Sequence, residues 1–223
     1  MTQHYLLVDT ETTGLDPNRH ACLEIGAAVL DDKFELVPDA VFHRYIRPGP
    51  SAKIDAAAIQ INGHGWAVDP SSETYLASPQ PHEAWKQFFD WLAQHFAEAG
   101  IPKQVIPVGW NVSFDVGFLR RLWCEYLMDL AVKLNVQSWT QLRDHPLKGH
   151  GWPMHYHIID LIGVCRYLDI RAGRSRKGYK LGIIADEVLT PDAREALHTK
   201  FGAAHTALAD AYTALHVIRA LEA

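Results

Sequence analysis

Cysteine is scarce and unpatterned: Cys22, Cys124 and Cys165 are three in 223 residues, far apart, with no C-x-x-C. An odd count without close spacing argues against a disulfide framework or a thiolate zinc site and fits a reducing, cytoplasmic setting. No apolar run reaches the roughly 20 residues that a membrane-spanning helix needs, so no membrane partner is expected. The N-terminus shows no basic-then-apolar signal pattern. Positive charge is not in excess either: 21 Lys and Arg against 26 Asp and Glu leave −5. That balance argues against a general nucleic-acid coat, while a local grip on a short strand stays compatible with it. There are no internal repeats and no clear linker. With 48% hydrophobic and 21% charged residues, the composition is ordinary for one globular domain, taken as residues 1–223.

What is present centres on Leu6-Leu7-Val8-Asp9-Thr10-Glu11-Thr12-Thr13-Gly14. Three apolar residues run into two carboxylates spaced i and i+2, which share one face of a strand. Two like charges so close repel unless a cation lies between them or one is protonated. The stretch therefore reads as a divalent-metal site at the end of a central strand. An ordinary strand exit with both acids facing water is the alternative.

The remaining elements follow in order. Leu23 to Leu30 and about Val41 to Ile46 read as two more strands, forming an antiparallel meander with the first. Asp55 to Ile61 reads as a short helix stopped at Asn62-Gly63, and residues 64 to 81 as an exposed loop. Trp85, Phe88, Phe89, Leu92 and Phe96 recur at helical spacing between His82 and Ala97, as a core-facing stripe. Gln104 to Trp110 is a fourth strand, followed by a helix from Phe114 to about Leu130. Residues 135–155 lack periodicity and read as an irregular insertion. Tyr156 to Asp160 is a short fifth strand, and helices follow near Leu161–Leu168, Leu181–Val188, Pro191–Lys200 and Thr206–Leu221. The class is α/β, a mixed sheet with helices on its faces.

Three more residues stand out by context. Asp115 opens the helix after the fourth strand, where an acid also complements a helix dipole. Asp210 sits among alanines and leucine near the start of the last helix, and His205 just precedes that helix. Singly, each has an ordinary structural explanation. Together, Asp9-x-Glu11, Asn111-x-x-x-Asp115 and His205-x-x-x-x-Asp210 resemble the DEDDh family of 3′–5′ exonucleases. That group includes the DNA polymerase III epsilon subunit, ribonuclease T and oligoribonuclease. Segments Glu24-Ile25-Gly26-Ala27-Ala28, Tyr45-Ile46-Arg47-Pro48, Ala58-Ile59-Gln60-Ile61-Asn62-Gly63 and Ile159-Asp160-Leu161 carry the resemblance through nearly the whole chain.

The resemblance implies a ribonuclease-H-like fold: a five-stranded mixed sheet, three strands in an antiparallel meander and two more, with helices on both faces. It implies release of nucleoside 5′-monophosphates from the 3′ ends of DNA, single-stranded or duplex, in a DNA-repair setting. RNA 3′-end trimming is the alternative, and a non-catalytic scaffold a more distant one. Two divalent cations, Mg²⁺ or Mn²⁺, are implied, and hard carboxylate and water ligands suit them. In the family's pattern Asp9 bridges both ions, Glu11 and Asp210 complete the site that activates water, and Asp115 holds the second. His205 is the general base, since an imidazole near its ordinary pKa of about 6.5 accepts a proton near neutral pH.

The resemblance also places Thr10, Thr12, Thr13 and Gly14 near the terminal nucleotide, Leu15 under the last base, and Ile61 or Asn62 in the same pocket. Asn111 joins these substrate contacts. Phe114 is either a stacking face for a base or a core residue. Arg174, Arg176 and Lys177, in a basic run broken by one acid, Asp169, are either a phosphate track or a solvated loop. Some relatives act as homodimers, which leaves that state open here. Thirteen residues follow Asp210, and no polymerase-binding tail is read in them.

Overall fold

Alternation along the first strand decides what packs where. The computed structural model describes residues 5–96, 105–136, 138, 141, 151–201 and 205–222. In β1 (Tyr5–Thr12), Leu6 and Val8 point into one apolar cluster and Leu7 into another, as a period of two requires. β2 (Cys22–Leu30) and β3 (Leu36–Tyr45) extend the sheet on one side by antiparallel pairing. β4 (Ile106–Gly109) and β5 (Ile159–Asp160) extend it on the other, in parallel. The strand order is β3-β2-β1-β4-β5.

The helices divide between the two faces. After the short α1 (Ala56–Asn62), a 3₁₀ turn (Gly65–Val68) and α2 (Glu73–Ala77), α3 (Pro81–Phe96) and α4 (Val112–Lys133) cover one face. Trp85, Phe88 and Leu92 of α3 are fully buried there with Phe118 and Leu119 of α4. Burying each such side chain stabilises the fold by about 1.5–3 kcal/mol before entropy. α5 (Leu161–Arg171), α6 (Leu181–Val188), α7 (Pro191–Phe201) and α8 (Ala207–Glu222) contribute the cluster on the other face. That cluster contains Leu7, Val108, Cys165, Ile184, Tyr212 and Leu215.

Several boundaries differ from the sequence reading. Residues 64–81 are not simply an exposed loop: they hold the 3₁₀ turn and α2, and bury Ala67 and Ser78. Ser72 caps α2 by accepting from the Tyr75 amide, a local bond that the Pro and Ser content masked. β3 begins five residues earlier, at Leu36, despite Pro38; an edge strand tolerates proline because one side needs no ladder donor. β5 is reduced to two residues. Ala97, Gln104 and most of the expected insertion (137, 139–140 and 142–150) lie outside the described residues. The end of that segment joins the core. Met154 bridges to Val105 and is buried, and Trp152 stacks on Trp85 at 5.8 Å.

One close approach governs α8. A Cβ on Gly26 of β2 would lie 2.2 Å from the Leu208 backbone nitrogen, so only glycine admits the first turn of α8 against the sheet. By contrast, nothing lies within 4 Å of the Cβ position of Gly163, on an exposed turn of α5. Gly26→Ala is expected to destabilise the protein by about 1–3 kcal/mol in urea unfolding, as overpacking does. Gly163→Ala is expected to stabilise it by about 0.5 kcal/mol through helix propensity. Equal effects at the two sites would contradict the packing described.

Candidate metal-dependent active site

The cross-strand register of β1 and β2 builds the floor of the site. Asp9 pairs with Gly26 and Glu11 with Glu24, and by alternation these four positions share the face with Leu7, toward α8. The bare Gly26 lets α8 descend onto Asp9, and Asp210 in the first turns of α8 comes with it. Carboxylate oxygens of Asp9, Glu11 and Asp210 all lie within 4.8 Å of one another. Thr10 points the other way, with Val8, toward α4. There its backbone amide and its hydroxyl both donate to Asp115 Oδ1, each at 2.8 Å. Asp115 is therefore buried, and it is held at the end of β1 from the opposite side.

This crowding shows in the acidities. Burial, then the charges of Asp115, Asp210, Glu11 and Glu24, raise the Asp9 carboxyl well above the usual carboxylate range. Glu11 is pushed up to about 8 by burial and by Asp210 and Glu24. Asp115 rises to about 7 through burial, against the two bonds from Thr10. Burial also raises Asp210. Three hard oxygen donors at this spacing, each made more basic by burial, fit a small divalent cation. A cation at their centre relieves both repulsion and desolvation.

His205 stands at the rim. It has a left-handed backbone (φ 64°), its amide donates to Asp210 Oδ1 at 3.3 Å, and its Nδ1 lies 3.9 Å from Asp210 Oδ2. Its exposed ring is open to the solvent side of the carboxylates.

The expected substrate contacts divide into two groups. Thr10, Thr12 and Thr13 are buried, and their hydroxyls are committed to Asp115, the Gly14 carbonyl and the Lys53 carbonyl. Asn62 is buried too, with Nδ2 on the Thr12 carbonyl and Oδ1 accepting the His64 amide. These residues shape the wall. Gly14 packs under it, where a Cβ would meet the His20 ring at 2.4 Å. Leu15 and Ile61, by contrast, are 82% and 64% exposed and free to meet a ligand. Asn111 is exposed in a left-handed conformation, its amide donating to Asp160 Oδ1. Phe114 packs on Phe118 at 5.0 Å against the core.

The basic run is partly committed elsewhere. Arg174 Nε and Arg176 Nε donate to the two oxygens of the fully buried Asp169, at 2.8 and 2.6 Å, and Arg176 also pairs with Glu187. Lys177 stays exposed beside an open cleft of about 1000 Å³ that reaches Ala220 and Leu221. Those residues are ten positions past Asp210, or about 15 Å along α8, so the cleft is remote from the carboxylates.

Sequence reasoning passed over one acid. Glu24 is fully buried, with Oε1 accepting from His43 Nε2 (2.7 Å) and the Ala207 amide (3.2 Å), and Oε2 from His64 Nε2 (2.7 Å). Burial raises its carboxyl, but the two histidines outweigh that and hold it below the ordinary range. The signal was visible: a lone acid inside an otherwise apolar strand.

Comparison with known proteins agrees with the arrangement. The model of the RNase T-type exonuclease family matches residues 6–136. The chain belongs to that family. The match includes Asp9, Glu11 and Asp115 and stops before His205 and Asp210. Ribonuclease T of Actinobacillus pleuropneumoniae is 30% identical over 117 residues, 52% of this chain and 51% of that protein. The 3′-5′ DNA exonuclease Cap18 of Escherichia coli is 30% identical over 125 residues, 56% and 59%. The chain thus spans about half the length of the curated relatives it matches. Exonuclease I of E. coli, solved with a dA16 oligonucleotide, superposes with a TM-score of 0.60 at 18% identity, over 96% of this chain and 39% of that one. Exonuclease I from Methylocaldum szegediense gives 0.61 at 16% identity, over 99% and 40%. These likenesses establish the ribonuclease-H-like fold. Among the described residues no helix is long and apolar enough to cross a membrane.

The Asp169 network has a defined pH signature. Burial raises the Asp169 carboxyl, but Arg176 and Arg174 outweigh it and leave it below the ordinary value of 3.8. The unfolded chain then takes up a proton at higher pH than the folded one. The network's contribution is therefore complete above about pH 5 and is lost as pH falls through the folded value. Asp169→Asn is expected to cost on the order of 3 kcal/mol at pH 7, as breaking a buried pair does. In thermal unfolding the gap from wild type should narrow as pH falls below about 5 and close only below the folded value; a gap independent of pH would contradict the charge pairing.

Proposed function

We propose that this exonuclease-family chain is a metal-dependent 3′–5′ exonuclease acting on the 3′ ends of DNA. It would release nucleoside 5′-monophosphates, with residues 1–223 acting as one catalytic domain. The observation that carries the reading is the convergence of Asp9, Glu11 and Asp210 within 4.8 Å, with Asp115 behind Asp9 and His205 at the rim. Asp9, Glu11 and Asp210 would hold one Mg²⁺ or Mn²⁺, and Asp9 with Asp115 a second. Bound there, the ions supply the positive charge that offsets the developing charge on the phosphate and favours ionisation of the attacking water.

The protein's own groups do the rest. His205, exposed beside Asp210, takes the proton of the attacking water. The water's oxygen bonds to phosphorus as the bond to the 3′-oxygen of the preceding nucleotide breaks. Thr10 ties Asp115 to the end of β1 and so fixes its distance from Asp9. Leu15 and Ile61 would press on the terminal base, a reading their exposure supports. Lys177, exposed, would attract the phosphates of the strand farther back. Three unpaired thiols suit a cytoplasmic setting. The similarity to ribonuclease T supports RNA 3′-end trimming as the second reading.

The test uses matched 5′-labelled DNA and RNA strands, with free and blocked 3′ ends, in Mg²⁺, Mn²⁺ or EDTA. Metal-dependent shortening from free 3′ ends alone is expected, and the faster sugar decides between the two readings. No shortening by folded protein would refute both. Asp9→Ala is expected to lower the rate by at least about a thousandfold. His205→Ala should keep Mn²⁺ affinity within about threefold and lose about 10²–10⁴ in kcat. Loss of metal binding in that variant would contradict its role as the base.

A further inference from the structure

Glu24 stands outside the metal cluster, yet it touches both walls of the site. Through Oε1 it receives the amide of Ala207, the first residue of α8, whose first turn carries Asp210. Through Oε2 it receives His64, which follows the Ile61–Asn62 turn and whose amide is held by Asn62 Oδ1. His43 on the edge strand β3 shares Oε1 and closes the clamp from the solvent side. All of this lies beside Gly26, where α8 makes its closest approach to the sheet. A helix resting on a bare glycine can slide; a carboxylate accepting its leading amide stops it.

We propose that Glu24 is a positioning residue. Its Oε1 arm sets the height of α8, and with it Asp210, against Asp9 and Glu11. Its Oε2 arm sets the 61–64 turn against the substrate. The proposal rests on the exonuclease reading for its substrate arm, but its metal arm can be read without any nucleic acid.

The test measures Mn²⁺ affinity by electron paramagnetic resonance on nucleic-acid-free protein, alongside kcat and KM on a single strand and a melting curve for every variant. Glu24→Ala removes both arms. It is expected to weaken Mn²⁺ binding by about 10–100-fold, the range seen when supporting partners of metal ligands are lost. Glu24→Gln keeps an Oε1 acceptor for Ala207, and its amide donates to His64 once that imidazole carries its proton on Nδ1; it is expected to stay within about threefold of wild type. His64→Ala cuts only the second arm. It should raise KM about tenfold with kcat and Mn²⁺ affinity nearly unchanged.

Wild-type Mn²⁺ affinity in folded Glu24→Ala would overturn the proposal. So would a Glu24→Gln defect as large as that of Glu24→Ala, since the charge itself would then be acting. If Glu24→Ala does not fold, Glu24→Gln and His64→Ala still decide, because a folded His64→Ala with a lower kcat and an unchanged KM also refutes it. Wild-type protein that binds Mn²⁺ but never shortens a strand would sink the exonuclease reading and leave the metal arm standing.

Discussion

Like charges confined at the end of a central strand set the terms for the whole molecule. Asp9, Glu11 and Asp210 crowd within 4.8 Å, and Asp115 adds its charge from behind. Without a cation this cluster opposes folding: burial makes all four carboxyls weaker acids than usual, and mutual repulsion adds to this at Asp9 and Glu11. The fold holds it together with two extensive apolar clusters, one on each face of the sheet, whose burial far exceeds the repulsion of a few carboxylates. The site is thus a strained feature on a rigid frame, and divalent metal is the ligand that relieves the strain.

The frame delivers each acid by a different rule. Strand alternation puts Asp9 and Glu11 on the α8 face and Thr10 on the α4 face. Thr10 then recruits Asp115 through two hydrogen bonds, which a single backbone amide could not do alone. Gly26 and Glu24, the cross-strand partners of Asp9 and Glu11, receive the start of α8 and bring Asp210. The carboxylate cluster and the docking of α8 therefore depend on the same strand register, and slipping it by one residue would destroy both.

Much of this was legible in the sequence. The spacing of Asp9 and Glu11, the apolar stripe of α3 and the junction before Asp115 report local periodicity, which a linear pattern preserves. Less visible were features that depend on long-range pairing. Glu24 reads as one acid in an apolar strand, and its partners His43, His64 and Ala207 come from three separate elements. Arg174 and Arg176 read as free positive charge, but the one acid in their run, Asp169, lies buried between them. The turn and helix within 64–81 were hidden because Pro, Ser and Gly signal a break in structure without saying what lies between the breaks. Thr12 and Thr13 read as residues facing a ligand, but their hydroxyls bond to the Gly14 and Lys53 carbonyls.

Whether these carboxylates form a divalent-cation site is decided by anomalous diffraction from Mn²⁺-soaked crystals. A manganese peak is expected within coordination distance of Asp9, Glu11 and Asp210, lost in an Asp9→Ala crystal. Full manganese occupancy elsewhere on the molecule with none between these three residues would contradict it.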